Sequence, residues 1–196
     1  SIEELNNQNL ASQRDGVTKR HAALLADLRR LTWRTVLAGF ALAHAGHEMI
    51  SSLSTPVLLD RLCQLTTELL GCDVSDTVLR DATHDVLLPR SSHGYTPEQQ
   101  DALRVTRLSA GTLAPLLHAL ERQGHVQVHT AKVTDPGTAR LLTEYDITRS
   151  LYVALRRGPD LIGFLSAGHR GRETAFSPLQ ERLAIGLAQL ASMALE

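Results

Sequence analysis

Residues 149–165 read RSLYVALRRGPDLIGFL, and this stretch decides the fold. Residues 151–155 and 161–166 are apolar runs of strand length. Between them lies Arg157-Gly-Pro-Asp160, and Gly and Pro between two such runs mark a turn. The stretch therefore predicts an antiparallel hairpin.

A helix is predicted directly after this hairpin, over residues 177–196. Ser177 followed by Pro178 is a typical helix start, with a capping hydroxyl and a proline in the first turn. Ile185, Leu187 and Leu195 lie beside a full heptad seam, and a helix that is apolar on more than one face usually packs against its own domain and a partner together. The residues of the seam, which we predict to form part of a homodimer interface, are Leu179, Leu183, Gly186, Leu190 and Met193.

Upstream of the hairpin the chain alternates between short elements. Ser54 or Thr55 with Pro56 starts a helix that Gly71 ends. The period then changes to two, which predicts strands over residues 74–79 and 86–88 around a turn at 81–85, and a loop over 91–96. The remaining predicted elements are short helices at 97–105, 112–123 and 138–145 and a strand at 125–129.

The first 50 residues are predicted to be helical, polar up to about residue 30 and more apolar from there. A strict interval of seven relates four apolar residues, which marks one core position of a coiled coil. An amphipathic helix lying on its own domain explains the same pattern, and both interpretations stay open. The four residues are Leu10, Val17, Leu24 and Leu31.

Composition excludes several classes of protein. The chain has 196 residues, of which 43% are hydrophobic and 21% charged, and its formal net charge is −1. This balance gives no electrostatic case for a nucleic acid or an anionic membrane as partner. No run approaches the roughly 20 apolar residues of a membrane span, and no signal peptide is recognisable. With only two cysteines, Cys63 and Cys72, we expect reduced thiols and a cytoplasmic protein, here represented by a fragment that starts at Ser1.

The order of elements and three motifs resemble the GAF domain family. The motifs are residues 149–155, then Leu161-Ile-Gly-Phe-Leu165, then Ala175-Phe-Ser-Pro-Leu-Gln180 before the closing helix. Ala154 stands where the family usually has Pro. The resemblance implies an α+β fold, an antiparallel sheet with linker helices on one face and a ligand pocket on the other.

The resemblance also implies a domain organisation and a role. Residues 1–50 are expected to form a linker or coiled-coil helix, and residues 51–196 the GAF domain with its C-terminal linker helix. Such domains belong to bacterial sensors, among which a histidine kinase is the expected parent. They pair through flanking helices as homodimers and are regulatory, so the fragment itself is not expected to be an enzyme.

Four ligand chemistries known in the family lack their usual residues here. No Asn follows Asn9, which removes the cyclic-nucleotide signature, and neither cysteine is placed for bilin attachment or for reduction of methionine sulfoxide. Haem-binding members ligate iron through a His before the final hairpin, whereas residues 130–168 contain none. His44 and His47-Glu48 resemble a zinc protease motif, but Ser51 replaces its second His, so no metal site is predicted.

An unidentified small molecule, with no recognisable cofactor, is the expected ligand. Arg90 and Arg149 suit an anionic group, because a guanidinium fork pairs with carboxylate or phosphate. Asp76 is interpreted as a strand-edge charge. Two alternatives remain: a haem-based gas or redox sensor, and a ligand-free relay module in which Leu113, Leu116, Leu117, Leu141 and Leu142 fill the pocket. The predicted ligand-binding residues are Arg90, Ser92, His93, Tyr95, His118, Tyr145, Arg149 and Tyr152.

Overall fold

A computed structural model of the chain describes residues 55–81 and 83–195. The predictions for the first 50 residues, namely the N-terminal helix, its heptad positions and the pair of histidines at 44 and 47, lie outside the described residues. No helix in the described part is long and apolar enough to cross a membrane.

The described residues form one six-stranded antiparallel sheet with helices on both faces, which confirms the predicted α+β class. The strands run in the order β3-β2-β1-β6-β5-β4. The elements are α1 (Thr55–Leu70), β1 (Val74–Asp81), β2 (Val86–His93), α2 (Pro97–Val105), β3 (Leu108–Ser109), α3 (Ala114–Gln123), β4 (His125–His129), a 3-10 turn (Thr130–Lys132), α4 (Pro136–Glu144), β5 (Arg149–Arg157), β6 (Asp160–His169) and α5 (Pro178–Ala194).

The predicted hairpin is β5 and β6, in which Arg157 pairs with Asp160. Gly158 has a φ of 57°, the left-handed value that the first central position of a tight hairpin turn requires. Ser177 caps α5 by accepting a hydrogen bond from the Gln180 amide, as its position before Pro178 predicted. The local signals at this end of the chain are therefore sufficient to place its elements.

Alternation along the strands separates two apolar layers. In β5, Leu151, Val153 and Leu155 belong to the cluster formed with α1 and α5, whereas Tyr152 belongs to the cluster on the other face. Successive residues of a strand point to opposite faces, so this one strand contributes alternate residues to both apolar layers. The helix α5 contributes small residues such as Ala184 to the first layer.

The largest error in the predicted elements concerns β2, which continues to His93 where a loop was predicted from Ser91 onward. Pro89 lies inside this strand. The register shifts between Thr77 and Val78, so that Arg90 is an extra residue in β2. A bulge accommodates a proline in a strand because it interrupts the ladder, and the sequence reasoning missed that.

Smaller differences concern element boundaries. The strand β3 has two residues, too few for a periodic signal. The helix α4 begins at Pro136 instead of residue 138, because the Asp135 side chain accepts a hydrogen bond from the Thr138 amide. The helix α3 begins at Ala114, with Leu113 at its N-cap and no side-chain cap.

Candidate functional site

A small cavity lies between the sheet and the helices α2, α3 and α4. Its volume is about 70 Å³. Drug-sized ligands occupy pockets of roughly 300–1,000 Å³, and a cavity of about 150 Å³ holds benzene. The space therefore fits a molecule of only a few non-hydrogen atoms unless side chains move. The sheet contributes Asp76, Val78, Ser150, Tyr152, Phe164 and Ser166 to its wall.

The cavity wall is mostly apolar and contains one carboxylate, that of Asp76. Asp76 is in the middle of β1, between β2 and β6. Its Oδ2 accepts hydrogen bonds from the Tyr95 hydroxyl at 2.8 Å and the Ser166 hydroxyl at 2.6 Å. Burial raises the pKa of Asp76, and these two hydrogen bonds oppose the rise.

Two pairs of aromatic rings frame the same space. Tyr95 meets Tyr145 edge to face at 5.5 Å between centroids, and Tyr152 meets Phe164 in the same way at the same distance. Burial raises the pKa of Tyr95 well above its usual range and that of Tyr152 to about 12. These phenols are therefore neutral at physiological pH and serve as donors or as π surfaces.

One further polar atom of the wall is incompletely bonded. The Ser150 Oγ is fully buried and makes no hydrogen bond of good geometry within the described part of the chain; a polar neighbour is the Tyr152 hydroxyl, whose pKa it lowers against the larger effect of burial. Such an atom costs about 1–3 kcal/mol if it stays unsatisfied. The cavity therefore offers a bound molecule two kinds of polar contact, the Asp76 carboxylate and the Ser150 hydroxyl.

The structure brings three of the predicted ligand-binding residues together and leaves five outside the cavity wall. Tyr95, Tyr145 and Tyr152 line the cavity. Arg90 and His118 are exposed, and the Arg149 Nε donates to the Glu173 carbonyl oxygen at 2.8 Å. Ser92 and His93 are in β2 and also do not line the cavity.

Sequence reasoning missed Asp76, Ser150 and Ser166. Asp76 was interpreted as a strand-edge charge, whereas it lies within β1 beside two other strands. Its two same-face neighbours, Val74 and Val78, are both buried. A charged residue at the centre of an alternating apolar series was the signal that could have identified it.

The cysteines belong to the opposite face. Cys63 and Cys72 are buried in the cluster formed with α1 and α5, and both are free thiols. Burial raises the pKa of the Cys63 thiol to about 11 and that of Cys72 to about 12. Thiols this far from the thiolate state are poor nucleophiles.

No three His, Cys, Asp or Glu side chains of the described residues lie close enough together to hold a metal ion. His169 is buried against Phe176, with ring centroids 4.4 Å apart, and it is not part of the cavity wall. Burial lowers its pKa. This histidine is a packing residue at the end of β6.

The sequence and the fold match a known family. The family model described as "GAF domain" matches residues 52–196, and the chain belongs to the GAF domain family. The comparison with curated proteins gives no match.

Solved structures of the family share the fold at low sequence identity. The GAF domain/HD domain protein from Geobacter sulfurreducens is 16% identical with a TM-score of 0.63, over 72% of this chain and 92% of that chain. The GAF domain from Acinetobacter phosphoenolpyruvate-protein phosphotransferase is 19% identical with a TM-score of 0.61, over 81% and 92%. A phycocyanobilin-bound GAF domain from a cyanobacterial phytochrome is 15% identical with a TM-score of 0.63, over 83% and 90%.

Proposed function

We propose that this chain is the regulatory sensory domain of a cytoplasmic bacterial signalling protein, with a histidine kinase as its parent. In this proposal the domain is not itself an enzyme. It binds a small molecule in the cavity beside Asp76 and transmits the occupied state through its terminal helices in a homodimer. The observation that carries the proposal is a cavity lined by the Asp76 carboxylate, whose two hydrogen bonds both end on Oδ2, and by the incompletely bonded Ser150 hydroxyl.

The main alternative is a ligand-free relay module with a pocket filled by leucines. Leu113, Leu116, Leu141 and Leu142 do line the cavity and narrow it to about 70 Å³. A pocket that had lost its ligand is expected to be filled completely with apolar groups, because buried polar atoms without partners are destabilising. The retained carboxylate and hydroxyl favour a ligand over the relay module.

Functions in which the domain binds a bilin or a haem are less well supported. Several neighbours are described as chromophore-binding, but both described cysteines lie in the cluster on the opposite face of the sheet. No histidine is among the residues that line the cavity, so this space offers a haem iron no imidazole ligand. A colourless protein is therefore expected.

Binding of a ligand in the cavity is tested with a variant that partly fills the cavity. We expect Ser150→Val to fill part of the space, to remove the unsatisfied hydroxyl, and to abolish ligand-dependent thermal stabilisation. Ser109→Val is the matched control, since Ser109 is exposed in β3. The purified chain and both variants are screened against a metabolite library by thermal shift, after a visible spectrum and mass spectrometry of what denaturation releases.

Each outcome of this screen selects one function. Stabilisation that Ser150→Val abolishes and Ser109→Val retains supports the sensory domain. A protein that nothing stabilises favours the relay module, and a Soret band identifies a haem sensor. Whether the parent protein is a histidine kinase is checked separately by sequencing the gene on both sides of the part that encodes this domain.

The proposed homodimer is supported by the surface of α5. Its inner face consists of Ala184, Leu187, Ala188 and Ala191, all buried. The predicted heptad seam lies beside this face, where Leu179, Leu183, Gly186 and Leu190 are only partly buried and Met193 is 48% exposed. In α1, Val57 and Leu69 are also exposed, at 52% and 45%. Leu183 and Leu190 also pack against the core of their own domain, whereas the exposed apolar residues of α1 and of the C-terminal helix α5 fit a helical partner.

We expect Met193→Glu to weaken the dimer of the full chain about tenfold or more, because each protomer then places a charge in an apolar seam. Val105→Glu is the control, since Val105 is 75% exposed in α2, outside the terminal helices. Analytical ultracentrifugation over a concentration series measures both dissociation constants. A wild-type chain that is monomeric at about 50 µM, where even modest interfaces associate, contradicts the dimer.

A further inference from the structure

One oxygen of the Asp76 carboxylate, Oδ1, accepts no hydrogen bond from the described residues. Both of its hydrogen bonds, from Tyr95 and Ser166, end on Oδ2. No described residue donates to Oδ1, and no described cation lies within 4.0 Å of the carboxylate. A carboxylate accepts up to about four hydrogen bonds, so this one retains a free acceptor edge in the wall of the cavity.

The guanidinium of Arg170, which lies beside Tyr95, is bonded to groups other than Asp76. Arg170 lies over the Tyr95 ring, 5.6 Å from its centroid. Its guanidinium donates to the Tyr145 carbonyl at 3.2 Å, the Gly94 carbonyl at 3.3 Å and the Gln99 Oε1 at 3.0 Å. Arg170 therefore holds the loop around Tyr95 and leaves the charge of Asp76 uncompensated.

The other titratable groups around Asp76 are neutral at physiological pH. They are the phenols of Tyr95, Tyr145 and Tyr152 on the cavity side and the thiol of Cys63 on the opposite face of the sheet, and burial is the largest cause of the raised pKa of each. None of them supplies a positive charge. Among the groups of these elements that line the cavity, only the Asp76 carboxyl can carry a charge, and that charge is negative.

We propose that the cavity selects a small organic ammonium ion, whose N–H groups donate to the Asp76 Oδ1 and whose apolar body packs among the leucines and aromatic rings. This inference rests on the proposed function and adds the ligand class. Aromatic rings in the cavity wall, such as that of Tyr152, also favour a cation. The anionic ligand that Arg90 and Arg149 suggested in the sequence is disfavoured, because neither arginine lines the cavity.

Binding of an ammonium ion is coupled to the protonation of Asp76. The cation requires the ionised carboxylate, whereas burial favours the protonated form in the free protein. Affinity is therefore highest above the pKa of Asp76 in the free protein and falls about tenfold per pH unit below it, until the lower pKa of the complex is reached. A neutral ligand lacks this pH dependence.

The test compares three probes of matched shape: n-butylammonium, 1-butanol and butyrate. Backbone amide shifts of Tyr95, Ser150 and Ser166 in two-dimensional NMR report binding at the cavity over a pH series. Asp76→Asn keeps an acceptor for Tyr95 and Ser166 but removes the charge. Asp101→Asn is the matched control, because the Asp101 side chain is exposed in α2.

We expect n-butylammonium to bind the wild type and Asp101→Asn at least tenfold more tightly than butyrate or 1-butanol, with affinity falling as the pH falls. Asp76→Asn should lose this preference and the pH dependence. It should keep its fold, since the Asn side-chain oxygen can still accept from Tyr95 and Ser166, and burial disfavours the charged form that the substitution removes. The wild-type pH series tests the proposal without any variant.

A preference for butyrate or 1-butanol, or an ammonium affinity that neither Asp76→Asn nor pH changes, overturns the ligand class and leaves the proposed function standing. If none of the three probes shifts the three amides at millimolar concentration, and the metabolite library also stabilises nothing, then the proposed function itself fails.

Discussion

Gly94→Ala is expected to destabilise the domain by about 3 kcal/mol or more, since a strained backbone and a steric clash act at one position. Gly94 has a φ of 83°, in the left-handed region that side chains disfavour. A Cβ here lies 2.0 Å from the Asp73 carbonyl oxygen, which is backbone and cannot rotate away. Urea unfolding followed by circular dichroism measures the loss.

The matched control is Gly71→Ala. Gly71 has a comparable φ of 61°, but a Cβ built on it meets nothing within 4 Å. We expect this variant to lose about 1–2 kcal/mol of stability, which is the cost of placing a residue with a Cβ in the left-handed region. Equal losses in the two variants would show that the contact between Gly94 and the residue before β1 is not a constraint on the fold. Because Tyr95 follows Gly94 and donates to Asp76, the first variant should also disturb the cavity.

Leu151→Ala is expected to cost about 3 kcal/mol, within the 2–5 kcal/mol typical of fully buried leucines. Leu151 is fully buried at the centre of β5, between α1 and α5 on one side of the sheet. Strands on both sides hold β5 in place, so the space left by the side chain cannot easily close. Urea unfolding measures the change in the free energy of unfolding.

The same substitution at Leu69 provides the comparison. Leu69 is 45% exposed in α1, so truncation removes little buried surface and is expected to cost less than about 1 kcal/mol. A larger loss at Leu69 than at Leu151 contradicts the assignment of the core. Measurements at a low and a high protein concentration separate any contribution of Leu69 to the proposed dimer.

The sequence predicted most of the secondary structure from local signals. The start of α5 and the turn of the hairpin could be located without tertiary information, because both are marked by local sequence signals, Ser177-Pro178 and Gly158-Pro159. Element boundaries were less accurate. The end of β2 depends on a bulge, and a two-residue strand such as β3 exists only because β2 is beside it.

The candidate site was predicted only in part. Tyr95, Tyr145 and Tyr152 were among the eight predicted ligand-binding residues, and the structure places all three in one cavity wall. The arginines were chosen for their chemistry alone. Whether a guanidinium reaches a cavity or a nearby carbonyl, as Arg149 does, depends on contacts between segments far apart in the chain.

Sequence by itself determined the class of fold, because alternation, helix caps and turn residues are local and largely independent of what packs against them. It could not determine which side of the sheet each charged residue faces or what meets it there. Asp76 illustrates the difference. Its hydroxyl partners, Tyr95 and Ser166, are 19 and 90 residues away in the chain. Only the tertiary structure brings them together and places this aspartate in the wall of a cavity, because the contacts that decide it join segments far apart in the chain.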